Sequence, residues 1–301
     1  MKKQLKDLEL KDIRKMITFN EIKSRVYEIA QQRFGHLTDD VKQRLDAELA
    51  AIEKYDSSAV IVCIWRLFDE LYKNNICSQL RIYNEYGVSL VCYVLGISMF
   101  NPLDHPTLDT ESIALKAFRY CPWFNFSIDE NAYKLIEQWL KEWGYEFEIE
   151  ATDNISSMIM SLRINANKII RLDIRCRPSS CKLRQAIFEL GDRLFYDIPF
   201  NDKNTFKSIY DLDLYGTTMV CFSPITLDAL RLIKPSALNE LAVVLSFAKE
   251  KQYEDLMNYI SGRGVNRNDN FAQYVQAFNI YNLAYIKKHY PNHFNNILTH
   301  K

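Results

Sequence analysis

The sequence predicts an α+β fold: a small mixed β-sheet covered by helices, followed by a mainly helical C-terminal part. Three observations carry this. Apolar residues recur at helical spacing through most of the chain, whereas period-2 alternation is confined to its middle. Of the 301 residues 48% are apolar, and only 8 Gly and 8 Pro occur, which supplies a core and excludes a disordered chain.

The helical periodicity covers roughly 21–34, 38–54, 57–74, 87–97, 110–119 and 129–143, then 179–194, 202–210, 225–233, 236–248, 251–261 and 270–298. The segment 57–74 holds the longest apolar run, "AVIVCIW", which suits a buried helix and is too short to span a membrane. Strand signals are "QLRIY" (79–83), "WFNFSI" (123–128), "YEFEIEA" (145–151), "SSMIMSLRI" (156–164) and "KIIRLDIRC" (168–176). Ser127 and Glu130 have capping-box spacing ahead of the helix from 129. Ala132, Ile136, Leu140 and Trp143 form its apolar stripe, and Gly144 ends it.

Lys plus Arg equals Asp plus Glu, at 38 each, and this zero balance argues against nucleic-acid binding by bulk charge. The neutral total hides two opposed blocks. Residues 104–160 carry 11 acidic and 4 basic side chains, whereas residues 161–194 carry 8 basic and 3 acidic. The N-terminus has no apolar run long enough for a signal peptide, and seven scattered cysteines without a CxxC pair read as reduced core thiols. A cytoplasmic location is expected. Cys176 and Cys181 have no nearby His, and the i, i+4 pair His289 and His293 has no intervening glutamate, so no metal site is expected at either.

Seven segments, in one order, resemble the bacterial replicative DNA polymerase III alpha subunit, the C-family polymerase. They are "RLDAELAAIEKYDSSAVIVCIWRLFDELYKNNI" (44–76), "GVSLVCYVLGISMFNPLDHPTL" (87–108), "WFNFSIDENAYKLIEQWLKEWGY" (123–145), "IIRLDIRCRPSSCKLRQAIFEL" (169–190), "NDKNTFKSIYDLDLYGTTMVCF" (201–222), "LRLIKPSALNELAVVLSFA" (230–248) and "NIYNLAYIKKHYPNHFNNILT" (279–299). The resemblance implies an N-terminal helical lead-in over 1–43, a palm-like domain over 44–178 and a helical fingers-like domain over 179–301. It also implies that the family's N-terminal phosphoesterase-like domain and its later duplex- and partner-binding modules are missing.

In that family, two aspartates at i and i+2 on one strand and a third on a neighbouring strand hold the catalytic Mg²⁺ ions. Aligning Phe126 and Ser127 with the family's Phe-Ser puts Trp123 and Asn125 at the first two positions and leaves only Asp173 acidic. Arg171 and Arg175 flank Asp173 at i−2 and i+2 on the same strand face, which favours an ion-paired carboxylate over a metal ligand. The family's Gly-Arg-Gly-Ser-x-x-Gly-Ser phosphate loop aligns with Ile82–Ser89, where bulky residues replace the glycines and Glu85 adds a negative charge where phosphate would lie. Its Ser-His pair in the fingers aligns with Phe271 and Ala272.

The resemblance therefore implies a catalytically degenerate relative, Asp173 being vestigial, with no cofactor and a role in binding DNA or a protein partner. The alternative is a minimal nucleotidyltransferase using Asp173 with Asn125, Glu148 and Mg²⁺. The family's primer end implies a DNA surface over the basic block, formed by Arg163, Lys168, Arg175, Arg177, Lys182 and Arg184.

Overall fold

The structure, a computed structural model, describes residues 19–81, 84–104, 109–120, 123–150, 156–166, 168–177, 181, 183–184, 198–214, 222–248, 252–263, 271–292 and 294–295. The chain divides into two compact units, Met1–Pro178 and Ser179–Lys301.

Among the described residues the first unit opens with three helices. In α1 (Phe19–Phe34), Ile22, Val26 and Ala30 form a buried i, i+4 stripe. α2 (Asp39–Lys54) is capped by Thr38, whose side chain accepts from the Val41 N–H, and Asp39 and Asp40 suit the positive end of the helix dipole. α3 (Ser58–Lys73) contains the "AVIVCIW" run and is buried nearly all round, from Val60 to Ile64 and again at Leu67, Phe68 and Leu71. Asn75, at φ 58°, turns the chain out of α3 into β1 (Ser78–Leu80).

A 3₁₀ turn (Glu85–Val88), the short α4 (Leu90–Val94) and a second 3₁₀ turn (Pro102–Asp104) lead to α5 (Thr110–Tyr120). The rest of this unit is β2 (Trp123–Ile128), α6 (Tyr133–Glu142), β3 (Glu146–Glu150), β4 (Ser157–Asn165) and β5 (Lys168–Cys176). The five strands form one mixed sheet in the order β1-β2-β5-β4-β3. β2 and β5 run parallel, and the other neighbours are antiparallel. Strand alternation gives the sheet two unlike faces. Phe124, Phe126, Ile128, Met158, Met160, Leu162, Ile170, Leu172 and Ile174 form the buried one. There Tyr86 stacks on Phe124 with ring centroids 4.0 Å apart, and Phe68 of α3 meets Phe126 at 5.2 Å. Full burial of side chains of this size stabilises by about 1.5–3 kcal/mol each.

The elements follow the periodicity closely, with three departures. Ser127 does not cap the helix after β2: it is a buried strand residue, and α6 begins six residues later behind Ala132, with no side-chain cap. Strand alternation through Phe126 and Ile128 outweighs the capping spacing. The helix over 87–97 is a 3₁₀ turn followed by a five-residue α-helix, because Ser89 is extended between them. Within 179–194 only residues 181, 183 and 184 are described, and they are helical. Trp143 completes the α6 stripe differently from its neighbours: it is half-buried under the Arg66 guanidinium, 4.4 Å from the ring.

The second unit is helical among the described residues: α7 (Lys203–Tyr210), α8 (Pro224–Ile233), α9 (Leu238–Ser246), α10 (Tyr253–Ile260) and α11 (Phe271–His289). Asp202 caps α7, and Ser223 caps α8 ahead of Pro224, the favoured first helical residue. α11 packs on α7 and α9, with Phe200, Phe206, Phe278 and Tyr281 clustered at the junction of α7 and α11. Among the described residues no helix is long and apolar enough to cross a membrane.

Candidate functional site

The face of the sheet opposite the core carries the polar strand positions singled out in the sequence, Lys168 excepted. Successive rows across it follow from the strand register. Asn125 on β2 lies beside Asp173 on β5, which continues to Ile159 on β4 and Glu150 on β3. The adjacent row is Trp123, Arg171, Ser161 and Glu148, and the next pairs Ile169, Arg163 and Glu146. On the other side of Asp173 runs the row Gln79, Ser127, Arg175 and Ser157. Trp123, Asn125 and Asp173 therefore share one corner of one face.

Asp173 is held by two guanidiniums. Arg81, directly after β1, places Nη1 3.0 Å from Oδ2, while Arg175 places Nε 3.2 Å from Oδ1 and Nη2 3.3 Å from Oδ2. The carboxylate side chain is 17% exposed, so the three charges sit largely out of water. Arg171, the other expected flank, turns instead to Glu150 at 2.7 Å. Arg81 is the contact that sequence reasoning missed. It lies 92 residues from Asp173 along the chain, and only the antiparallel β1–β2 pairing, continued by the Arg81 N–H to the Asn125 carbonyl, brings it there. Burial pushes the Arg81 guanidinium below its ordinary value; the Arg175 charge, and less strongly Arg177, add to the shift, against the opposing pull of Asp173.

A pair of Mg²⁺ ions needs several oxygen donors carrying negative charge. Both oxygens of Asp173 are engaged by arginine, Asn125 is neutral and Trp123 has no oxygen, so these residues do not fit the ion pair. Among the described residues no group of three or more His, Cys, Asp or Glu side chains could hold a metal ion. Glu148 stands in the row of Arg171, not that of Asp173, and two strands from β5.

The expected basic surface is scattered. Arg163 is exposed and pairs with Glu146 at 3.4 Å. Lys168 points to the opposite sheet face, where its Nζ donates to the Tyr55 and Asp56 carbonyls and to Ser57 Oγ, each at 2.9 Å, and burial lowers its pKa. Arg184, in the second unit, is buried at 5% exposure and so is not the surface cation that the charge run implies. Lys182 lies outside the described residues. Only Arg175 and Arg177 remain close together, beside Arg81. The acidic and basic blocks of the sequence meet across the sheet, since Glu146 and Glu150 answer Arg163 and Arg171.

A second polar centre is buried. Glu48 of α2 is fully buried and accepts from Arg44 Nε (2.7 Å), Ser89 Oγ (2.6 Å), Leu90 N (3.0 Å) and Val91 N (3.0 Å). Arg44 reaches Thr110 Oγ1 at 3.1 Å and the Val88 carbonyl at 3.3 Å. The backbone N–H groups that open α4 are thus taken by an internal carboxylate. Just upstream, Asn84 caps the 3₁₀ turn through its side chain and Tyr86 fills the space against Phe124. A signal for this centre exists in the sequence: Val41, Leu45, Glu48 and Ile52 are spaced along one helix face, so the acid falls within an apolar stripe.

His289 pairs with Asp202, Nε2 to Oδ2 at 2.9 Å, which gives that residue of the His289/His293 pair a structural partner. His293 lies outside the described residues.

With this geometry in view, residues 20–142 match the family model described as the bacterial DNA polymerase III alpha NTPase domain. Over that stretch the chain is similar to DNA polymerase III alpha. The matched stretch starts ahead of the first resembling segment at 44 and ends within α6, so the resemblances from residue 169 onward lie beyond it. No curated protein matches the chain.

Proposed function

We propose that this chain is a non-catalytic relative of DNA polymerase III alpha that acts by binding, to DNA or to a protein of the replication and repair machinery, rather than by nucleotide transfer. On this reading the sheet unit corresponds to the palm and the helical unit to the start of the fingers, and the protein is cytoplasmic. The observation that carries it is the Asp173 corner: the one acidic residue of the aligned metal triad is neutralised by Arg81 and Arg175 beside Asn125 and Trp123. Two-metal phosphoryl transfer needs carboxylates free to bind cations, and here the local charge is reversed. The Ile82–Ser89 segment supports the same reading, because Tyr86 and the Glu48 carboxylate fill the region that the family's glycines would leave open to phosphates.

Primer extension with Mg²⁺ or Mn²⁺ tests the proposal, with Asp173→Ala alongside the natural chain. No incorporation is expected from either. Template-dependent incorporation by the natural chain that disappears in Asp173→Ala would overturn it.

A further inference from the structure

The charge around Asp173 is not balanced. Arg81 and Arg175 share one carboxylate, and both donate to the same oxygen, Oδ2. Arg177 follows β5 on the same side and is exposed, with no ion pair among the described residues. Arg177 is near enough to Arg81 to help lower its pKa, and the two guanidiniums that touch Asp173 are held near each other in a partly dry corner, with side chains 22% and 32% exposed. Like charges so placed repel, and a single carboxylate neutralises only one of them.

Donors are also left over. A guanidinium has five N–H groups. Asp173 engages one of Arg81's and two of Arg175's. A second, independent irregularity lies in the adjoining row. Gln79 is in register with Ser127, which is in register with Arg175, and the buried Oε1 of Gln79 has no hydrogen-bond partner. Buried polar atoms are seldom left unmatched, and a half-turn of this amide would present its N–H groups in place of the oxygen. Surplus guanidinium donors, surplus positive charge and an orphaned amide therefore converge on one end of the open sheet face.

We infer that this corner is a metal-independent phosphate site, in which Arg81, Arg175 and Arg177 bind the oxyanion of a phosphate monoester or diester directly. Asp173 is then a positioning residue: it aligns two guanidinium forks and limits the affinity by its own negative charge. Guanidinium geometry suits such an oxyanion, since planar N–H pairs match two phosphate oxygens. Trp123, 51% exposed and two strand residues from Asn125, lies about 7 Å along the same face. A base attached to the phosphate would have an aromatic surface within reach. The inference rests on the non-catalytic reading of this face, but it fails separately from it, because the absence of incorporation says nothing about anion binding.

The test is calorimetric titration of the full chain in EDTA at low salt, using inorganic phosphate, a nucleoside monophosphate and a single-stranded oligonucleotide as probes. Thermal melts check that each variant is folded. Binding without divalent metal is expected, weakened at least tenfold in Arg81→Gln and in Arg175→Gln, and several-fold in Arg177→Gln. Asp173→Asn is expected to tighten binding about threefold while lowering stability, a reversal that a merely structural aspartate would not produce. Equal affinity for phosphate and the monophosphate, unmoved by Trp123→Ala, assigns the site to a bare phosphate group. Tighter binding of the monophosphate or the oligonucleotide that falls in Trp123→Ala assigns it to a nucleotide or a nucleic-acid strand. Absence of binding by all three probes, or binding that requires Mg²⁺ and is lost in Asp173→Asn, overturns the inference.

Discussion

The two faces of β2 obey different rules. On one, Phe124, Phe126 and Ile128 have no solvent exposure and are locked against Tyr86, Phe68 and the apolar face of β5. On the other, Trp123 is half in solvent and Asn125 is intermediate, next to an aspartate held by arginines. Packing tolerates little change in volume, so the first face sets strand register for the whole sheet. Charge on the second face can be rearranged without moving a strand. A scaffold can therefore keep its shape while the polar residues on such a face change.

The largest effects should come from the buried layer, and one of them from a polar residue within it. Phe124→Ala is expected to lower stability by about 3–5 kcal/mol, the range for deleting a buried aromatic ring. Glu48→Ala should cost about as much, because it leaves Arg44 as a buried, uncompensated cation and strips acceptors from Ser89, Leu90 and Val91. Urea denaturation measures both. A Glu48→Ala effect below about 1 kcal/mol would place this carboxylate with the open face and break the division between the layers.

Asp173→Asn is the next in size, at about 1–2 kcal/mol. At 17% side-chain exposure its ion pairs lie between surface pairs, worth about 0–1 kcal/mol, and buried ones, worth about 3–5. An unchanged urea midpoint would mean that water reaches the corner freely, and the faces would then differ even more sharply.

What could be read in advance divides along the same line. Alternation alone reveals strands β2, β4 and β5, because every second residue is buried and the buried ones are large and apolar. The Asn125–Asp173 adjacency was accessible too, since the resemblance implies that these two positions lie on neighbouring strands. Arg81 was not, because its role depends on a β1–β2 pairing across more than forty residues of chain that contain no turn signal joining them. Arg184 misled for the opposite reason: a count of charges along the sequence does not distinguish a buried guanidinium from a solvated one. Glu48 is legible in its helix period, as an acidic residue within an apolar stripe, but its partners Ser89, Leu90 and Val91 are more than forty residues away along the chain.

The second unit offers a polar contact with no proposed ligand, useful as a contrast to the Asp173 corner. Burial alone would raise the Asp202 carboxyl, but hydrogen bonds from Thr205, His289 and the Asn204 N–H hold it below the ordinary value of 3.8. A depressed carboxyl contributes stability that is complete above its unfolded value and is lost as pH falls through the lower folded one. Asp202→Ala should therefore cost about 1 kcal/mol at neutral pH, as for loss of a helix cap, and the difference from the natural chain should shrink below pH 3.8. Melts of both proteins across pH 2–7 check it. A difference that stays constant into acid would show that the cap acts through geometry and not through its charge.

The smallest effect is expected at the far end of the open face, where Arg163 meets Glu146 with side chains 49% and 82% exposed. A double-mutant cycle on this pair should return a coupling of about 0.2–1 kcal/mol, since water screens the charges and two long side chains lose freedom in meeting. At 1 M salt the Debye length falls to about 3 Å, shorter than the 3.4 Å contact itself, and the coupling should vanish. The same pair sharpens the contrast within the face. Arg163 already has a carboxylate to itself, whereas Arg81 and Arg175 share one. Arg163→Gln should consequently leave phosphate affinity within twofold of the natural chain, while Arg81→Gln weakens it at least tenfold. Equal losses in the two variants would mean that anions respond to the general charge of the sheet, and that its Asp173 corner is no different from its rim.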